Sequence, residues 1–329
     1  VTSKISNTMQ GKILRALNKR TNENVVIKVT SIELHSKSMG IVNNKQYKVD
    51  ENIMNETSIL KYLTKDNKSP NSIVKYIDAF KSHLNYYTVM EDGGFSAFEF
   101  VVRAHKLIQH KKLDISEWHR ICKIIFKQII EAIDYIHNKN IAHFDISLEN
   151  LLINDIDIVV IGDKGEKIKF VTDKDKKGDI DDYNGVQIKI CDFGLAEKFS
   201  NPNPTTSPSD TDSHSHSHSK WMSDKFCGKK TYKSPEVVAK QTFNARSNDL
   251  WCMGICLFML LVGVCPFNEA KDGDPLFDHI MSGGIRYLLN QWDKSSFVNS
   301  EIIELFSLFF KYENDRITME QLKKCRWLN

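Results

Sequence analysis

The octapeptide at 143–150 reads His-Phe-Asp-Ile-Ser-Leu-Glu-Asn, and a triplet Asp192, Phe193, Gly194 follows it at a distance. His143, an Asp two residues on and an Asn five beyond that place a base and a metal ligand on one short loop. A carboxylate can accept a proton from a hydroxyl, and carboxylate or carboxamide oxygens suit a hard divalent cation. Both stretches sit in apolar frames. Ile141 and Ala142 precede the loop, Leu151, Leu152 and Ile153 follow it, and Ile188 and Ile190 lead into Asp192. Such short β-branched and aliphatic runs read as strands flanking a polar loop.

Other elements must hold these groups. Between Ile13 and Val29 β-branched residues cluster around a turn-like 18–24, which predicts a hairpin whose second strand ends Val25, Val26, Ile27, Lys28. A polar stretch follows. Residues 55–63 then show helical spacing, with Ile59, Leu60 and Leu63 on one side. Residues 86–90 read as a buried strand broken at Gly93 and Gly94, a hinge between two domains. Beyond it Ile121, Ile125, Ile129, Ile133 and Ile136 mark a long core helix that delivers the loop at 143. The remainder to Asn329 reads as helices.

Two insertions interrupt this plan. The first, at 155–185, is charged and mixed in sign; within it 159–161 and 168–171 can pair as a hairpin. The second, at 200–219, is low in complexity and alternates Ser and His. It has too little apolar surface to offset its ordering entropy and reads as disordered. The run His214, His216, His218 reads as a solvated loop before it reads as a metal site.

At 329 residues, 41% apolar and 26% charged, the chain can form one large or two modest domains. A net charge of +3 is too small to argue for nucleic acid or a membrane surface. Seven cysteines, an odd number without metal-like spacing, argue against a disulfide framework and for a reducing, intracellular compartment. No signal peptide is expected, and Val1 reads as the start of a piece of a longer protein. The apolar run 250–267 is interrupted by Gly254, Gly263 and Pro266 and reads as a buried helix, not a membrane span.

At residues 143–150 and 192–194 the chain resembles the eukaryotic protein kinases, of serine/threonine type. Further motifs follow in the family's order: Lys28, Glu56, the hinge, the stretch 227–236 resembling a substrate-docking loop and its A-P-E motif, the segment from Asp249, and Arg316 as the expected partner of Glu236. The segment 248–267 and the closing Arg326, Trp327, Leu328 loosely resemble the calcium/calmodulin-dependent type. The resemblance implies an α+β, bilobal protein-kinase fold, with a small β-rich lobe over 1–91 and a larger helical lobe over 92–329 that carries both insertions. It implies a cytoplasmic, monomeric enzyme that transfers the γ-phosphoryl group of ATP·Mg²⁺ to a protein substrate, with no nucleic acid or membrane as partner. Asp145 would be the base, Lys28 and Glu56 would position phosphates, and Asn150 and Asp192 would hold Mg²⁺. Nucleotide would contact Ser6, Thr8, Gly11, Ile13, Val26, Lys28, Met90, Glu91, Gly93, Leu152 and Cys191, although Cys191 also reads as a small core residue.

The departures from the family are specific. Only Gly11 survives of the three phosphate-loop glycines; Ser6 and Thr8 replace the others, and glycine there lets backbone N–H groups approach phosphates. Val26 replaces an Ala that packs on adenine. Ser96 stands roughly where many relatives carry a ribose-contacting carboxylate, and Glu149 where kinases of basic peptides contact an Arg. Phe144 replaces the Arg that reads phosphate on the activation loop, and Ser147 replaces a phosphate-bracing Lys. Lys229 stands where serine/threonine kinases carry a Thr. Either it supplies the missing charge from the other side, or it is an exposed base in a lysine-rich loop. A pseudokinase that binds nucleotide or partners and transfers nothing is the competing reading.

Overall fold

The computed structural model describes residues 1–154, 156–161, 167–172, 186–200 and 221–329. The histidine run and all but Ser200 of the low-complexity insertion lie outside the described residues.

Strands β1 (Ser3–Thr8), β2 (Gly11–Asn18) and β3 (Glu23–Ser31) lead through helix α1 (Ile32–Ser36), strands β4 (Met39–Val42) and β5 (Lys45–Lys48) and helix α2 (Ile53–Thr64) to β6 (Tyr76–Lys81) and β7 (Asn85–Glu91). The main sheet is antiparallel in the order β1-β2-β3-β7-β6. Lys28 lies inside β3, not at its end, opposite Ile13 on one neighbour and Thr88 on the other. β7 buries Thr88 and Met90 and leaves the residues between and around them half-covered. An antiparallel sheet with one solvated face gives that alternation, so the strand is not buried throughout as its composition implies. Within the polar stretch, α1 and the β4–β5 hairpin are elements that periodicity does not show. The hairpin turns on Asn43 and Asn44 with φ of 48° and 61°, a conformation asparagine tolerates well.

Strand β8 (Phe95–Ser96) leads into α3 (Ala97–Gln109), then α4 (Ile115–Asn138), whose N-cap Asp114 accepts from Ser116 N. The isoleucine stripe of α4 is buried as its spacing predicts, with Ile121, Ile125, Ile129, Ile133 and Ile136 all at 0% exposure. β9 (Ile141–Ala142), β10 (Leu151–Ile153) and, beyond the hairpin β11 (Ile156–Ile161) and β12 (Lys167–Thr172), β13 (Ile188–Ile190) frame the catalytic segments as expected. Val160 pairs with Ile168 in the insertion's hairpin, and β10 joins β13 to β8. β14 (Glu197–Lys198) pairs with β9, and β15 (Met222–Ser223) with β16 (Phe243–Asn244).

Helices α5 (Pro235–Val238), α6 (Ala245–Val262), α7 (Pro275–Met281), α8 (Ile285–Gln291), α9 (Ser300–Phe309) and α10 (Met319–Lys323) complete the fold. α6 is long and apolar enough to cross a membrane, yet 89% of it is buried inside the protein. It is the centre of a core in which Trp251, Phe267, Phe277 and Phe310 meet edge to face or tilted. Glu236 and Arg316 form a bidentate pair, both bonds 2.9 Å, buried at the edge of this core.

Candidate active site

The loop at 143–150 is anchored from below by Asp249 on α6, which is fully buried. Its Oδ2 accepts from His143 N and from His137 Nε2, both at 2.9 Å, and its Oδ1 accepts from Phe144 N at 3.0 Å. These bonds hold Phe144 at φ 66°, a left-handed conformation that costs an aromatic residue about 1 kcal/mol. The His143 ring accepts from Asp145 N through Nδ1 and donates from Nε2 to Cys191 O, each at 3.2 Å. Loop and Asp192 strand are thus joined by one imidazole. Asp192 itself sits at φ 65°.

On the loop, Asn150 Nδ2 donates to both the carbonyl of Asp145 (2.8 Å) and its Oδ2 (2.7 Å). Both amide hydrogens are used, which turns the Asn150 Oδ1 away from Asp145 as an oxygen donor. Lys229 Nζ donates to Asp145 Oδ2 at 2.7 Å and to Ser147 Oγ at 2.9 Å. Burial opposes the Lys229 charge, but Asp145 outweighs it and raises the pKa above the usual lysine value. Lys229 is therefore a partner of the loop, not a free surface base.

Across the cleft, Lys28 Nζ lies 2.8 Å from Glu56 Oε2 and 2.9 Å from Asp192 Oδ1. Asn52 caps α2 and sets Glu56 in its first turn. Burial disfavours the Lys28 ammonium, yet Asp192 and Glu56 hold its pKa well above the ordinary value. Burial likewise pushes Glu56 up, to about 7, against the pull of Lys28. Asp192 is lowered despite its burial, because Lys28 is beside it.

Lys28, Glu56, Asp192 and Asn150 face an open cleft of about 1250 Å³. Ser6, Thr8, Gly11, Ile13, Val26, Lys28, Glu56, Met90, Glu91, Gly93, Asn150, Leu152, Cys191 and Asp192 line it; Asp145 and Lys229 do not. Cys191 donates its Sγ to Asn150 O at 3.4 Å, and burial raises the thiol pKa, so it is an inert wall of the cleft. A Cβ at Gly11 would lie 1.9 Å from Val29 O; the close approach of β2 to β3 requires glycine there, whatever the loop binds. Ser96 accepts from Glu99 N at 3.2 Å and caps α3.

Sequence reasoning passed over three side chains. Glu51 lines the cleft 3.9 Å from Lys28, raised in pKa by burial and by Asp192. Arg15 pairs with Asp92 of the hinge at 2.6 Å, and Lys189 with Glu91 at 3.0 Å.

The chain after Asp192 is fastened on both sides. Asn52 N donates to Gly194 O (3.0 Å), Asn55 Nδ2 to Ala196 O (2.8 Å), and Lys198 Nζ sits 3.8 Å above the Tyr62 ring, all from or onto the α2 region. Further along, Phe144 is buried against Phe199 and Phe243, and the Phe199 ring meets Trp221 tilted, with centroids 4.8 Å apart.

A lysine, a helix glutamate and two loop acids in this relation, below a sheet and above a helical core, match a known pattern throughout the chain. The model of the protein kinase domain matches residues 2–328. The chain belongs to that family. It is 26% identical to the DNA damage response protein kinase DUN1 of Saccharomyces cerevisiae, over 96% of this chain and 52% of that protein. It is 27% identical to "Probable serine/threonine-protein kinase MARK-A" of Dictyostelium discoideum (97% and 23%) and 24% identical to serine/threonine-protein kinase DCLK3 of Mus musculus (88% and 29%). The chain thus spans about half or less of the length of these relatives.

A regulatory prediction follows from Phe144. Where the family's Arg would pair with a loop phosphate, this kinase domain has a ring packed on Phe199 and Phe243, neither charged nor a donor. Aromatic packing holds the segment instead. Treatment with a broad phosphatase, or deletion of 201–219, is expected to leave kcat on a generic substrate within twofold or so of the parent. A tenfold fall, roughly 1.4 kcal/mol of barrier, would show that a cation reads phosphate after all. Lys225 would be that cation, since its Nζ lies 5.4 Å above the Phe144 ring and donates to Leu195 O.

Proposed function

We propose that this domain is an active serine/threonine protein kinase that transfers the γ-phosphoryl group of ATP to a protein hydroxyl. The observation that carries this reading is the joint assembly of Lys28–Glu56–Asp192 and Asp145–Asn150–Lys229 at one cleft, which Lys28, Glu56, Asp192 and Asn150 line and to which Asn150 ties Asp145. Residues 1–91 serve as the small lobe and 92–329 as the large one, with Met90, Glu91 and Gly93 against the adenine.

In the mechanism, Asp145 orients the substrate hydroxyl and takes its proton as the oxygen attacks phosphorus. Lys28, held by Glu56, positions the nucleotide phosphates, so the geometry is set before reaction. Lys229 stabilises charge developing on the transferred group from a point beside Ser147. The Asp192 carboxylate and the outward oxygen of Asn150 are hard donors suited to Mg²⁺, an ion that takes one or two protein ligands and completes its shell with phosphates and water. When bound there, Mg²⁺ would neutralise phosphate charge. The free state of all seven cysteines fits a reducing, intracellular setting, and we read the domain as cytoplasmic and monomeric.

The test is phosphate transfer from γ-labelled ATP·Mg²⁺ to a generic protein substrate, followed by acid hydrolysis. Phosphoserine or phosphothreonine is expected, and EDTA should abolish it. No label on substrate from a folded protein that binds nucleotide would establish the pseudokinase reading instead.

A further inference from the structure

The β4–β5 hairpin lies in sequence between β3 and α2, and it reaches the turn that joins β1 to β2. In a hairpin with a two-residue turn, the pair flanking the turn bonds to itself, here Val42 and Lys45. The next residue back therefore points its N–H away from β5. Ile41 is that residue, and its N–H donates to Met9 O at 2.7 Å. On the same outer edge, Met39 O accepts from Gln10 Nε2 at 3.1 Å. Met9 and Gln10 are the two residues of the phosphate-covering turn. Gln10 is 5% exposed, and its own carbonyl accepts from Ser31 N at 2.9 Å, so the turn is gripped from two directions.

Packing repeats the message. A Cβ on Gly40 would lie 2.6 Å from Val49 Cγ2 and 2.8 Å from Met9 Cβ, so β4 approaches the turn as closely as a backbone can. The base of the hairpin is closed by Val49 N donating to Ser38 O at 2.9 Å, three residues before the cap of α2. Asn43 and Asn44, at its tip, line the same cleft as Lys28 and Asp192.

We propose that the hairpin 39–48 is a strut that holds the phosphate-covering turn over the cleft, with Ile41 and Gln10 as positioning residues for the nucleotide. This rests on the ATP reading above. A glycine-rich turn must be ordered when phosphates bind, and that ordering costs conformational entropy. Here Ser6 and Thr8 limit how closely the turn's backbone can approach, while the strut fixes the turn beforehand. Affinity retained through pre-ordering offsets affinity lost with the glycines.

Two substitutions separate the strut from mere packing. Ile41→Pro deletes an N–H that β5 does not use, and Gln10→Leu keeps the side chain's bulk while deleting its donor. Tyr47→Ala, on the exposed face of β5 and away from the cleft, keeps both donors and serves as control. The readouts are the dissociation rate of a fluorescent ATP analogue with Mg²⁺, measured by stopped flow, and the KM for ATP against the KM for a peptide. The double variant should release nucleotide about tenfold faster and raise the KM for ATP by a similar factor, as two modest hydrogen bonds would. The KM for peptide and the Tm should stay near the parent's, and Tyr47→Ala should match the parent. Should Ile41→Pro not fold, Gln10→Leu alone is expected to give about a threefold effect by the same measures. Unchanged release and KM in folded variants would overturn the strut, as would an equal effect of Tyr47→Ala. A parent that binds the analogue yet phosphorylates nothing would defeat the kinase reading and leave the release rates to decide this one.

Discussion

Asp145→Asn is expected to lower kcat by about a thousandfold, the scale on which a positioned base contributes, in a protein that still folds and binds nucleotide. Three donors surround this carboxylate: Lys229 Nζ, Asn150 Nδ2 and Lys229 N. An amide oxygen in the place of Oδ2 satisfies the first two, and the amide nitrogen then faces only the weak 3.3 Å approach of Lys229 N. The charge is lost but the shape is kept, so Tm is expected to fall by a few degrees at most. The proposed nucleotide contacts lie elsewhere, in a cleft that Asp145 does not line. Transfer by the variant at the parent's rate, with intact nucleotide binding, would remove Asp145 from the reaction and the mechanism with it.

Lys229→Thr is the second large effect, roughly a hundredfold in kcat, with a smaller change in the KM for ATP. A charge beside the transferring group counts most in the transition state, and loss of one such donor has that magnitude. The Lys229 ammonium sits 2.9 Å from Ser147 Oγ, the very position from which the family's loop lysine is missing. Ser147→Lys should therefore harm the parent, where two ammonium groups would crowd Asp145. Added to Lys229→Thr, it should restore part of the loss by filling the space vacated. Residues that share a role couple, so a double-mutant cycle in which the two changes simply add would show that Lys229 does not replace the loop lysine.

How far the sequence discloses this site depends on what kind of atom makes each contact. Asp145, Asn150, Asp192, Lys28 and Glu56 were legible because each is a side chain whose type the chemistry demands, in a short frame of strands and helix. Lys229 was legible as a displaced charge, though only its bonds to Asp145 and Ser147 choose between partner and surface base. The hairpin 39–48 was not legible. Its key donor is a backbone N–H, which every residue but proline carries, so no residue type announces it. Arg15–Asp92 and Lys189–Glu91 escaped for another reason, since pairs between distant segments leave no period to detect. The missing charge at Phe144 could be read directly. The rings that surround it come from separate stretches around 199, 221 and 243, which only folding brings together.

The contact of Phe199 with Trp221 has a use beyond regulation. These two residues flank the segment 201–220, so the described chain on its two sides meets in one aromatic clasp. With both ends already pinned, the free energy of closing whatever lies between them changes slowly with its length, by about 0.6 kcal/mol per doubling. The clasp is accordingly a socket into which foreign sequence can be spliced. A fluorescent reporter or affinity epitope exchanged for 201–220 is expected to join the domain at that clasp and to leave the packing of Phe144 on Phe199 and Phe243 in place.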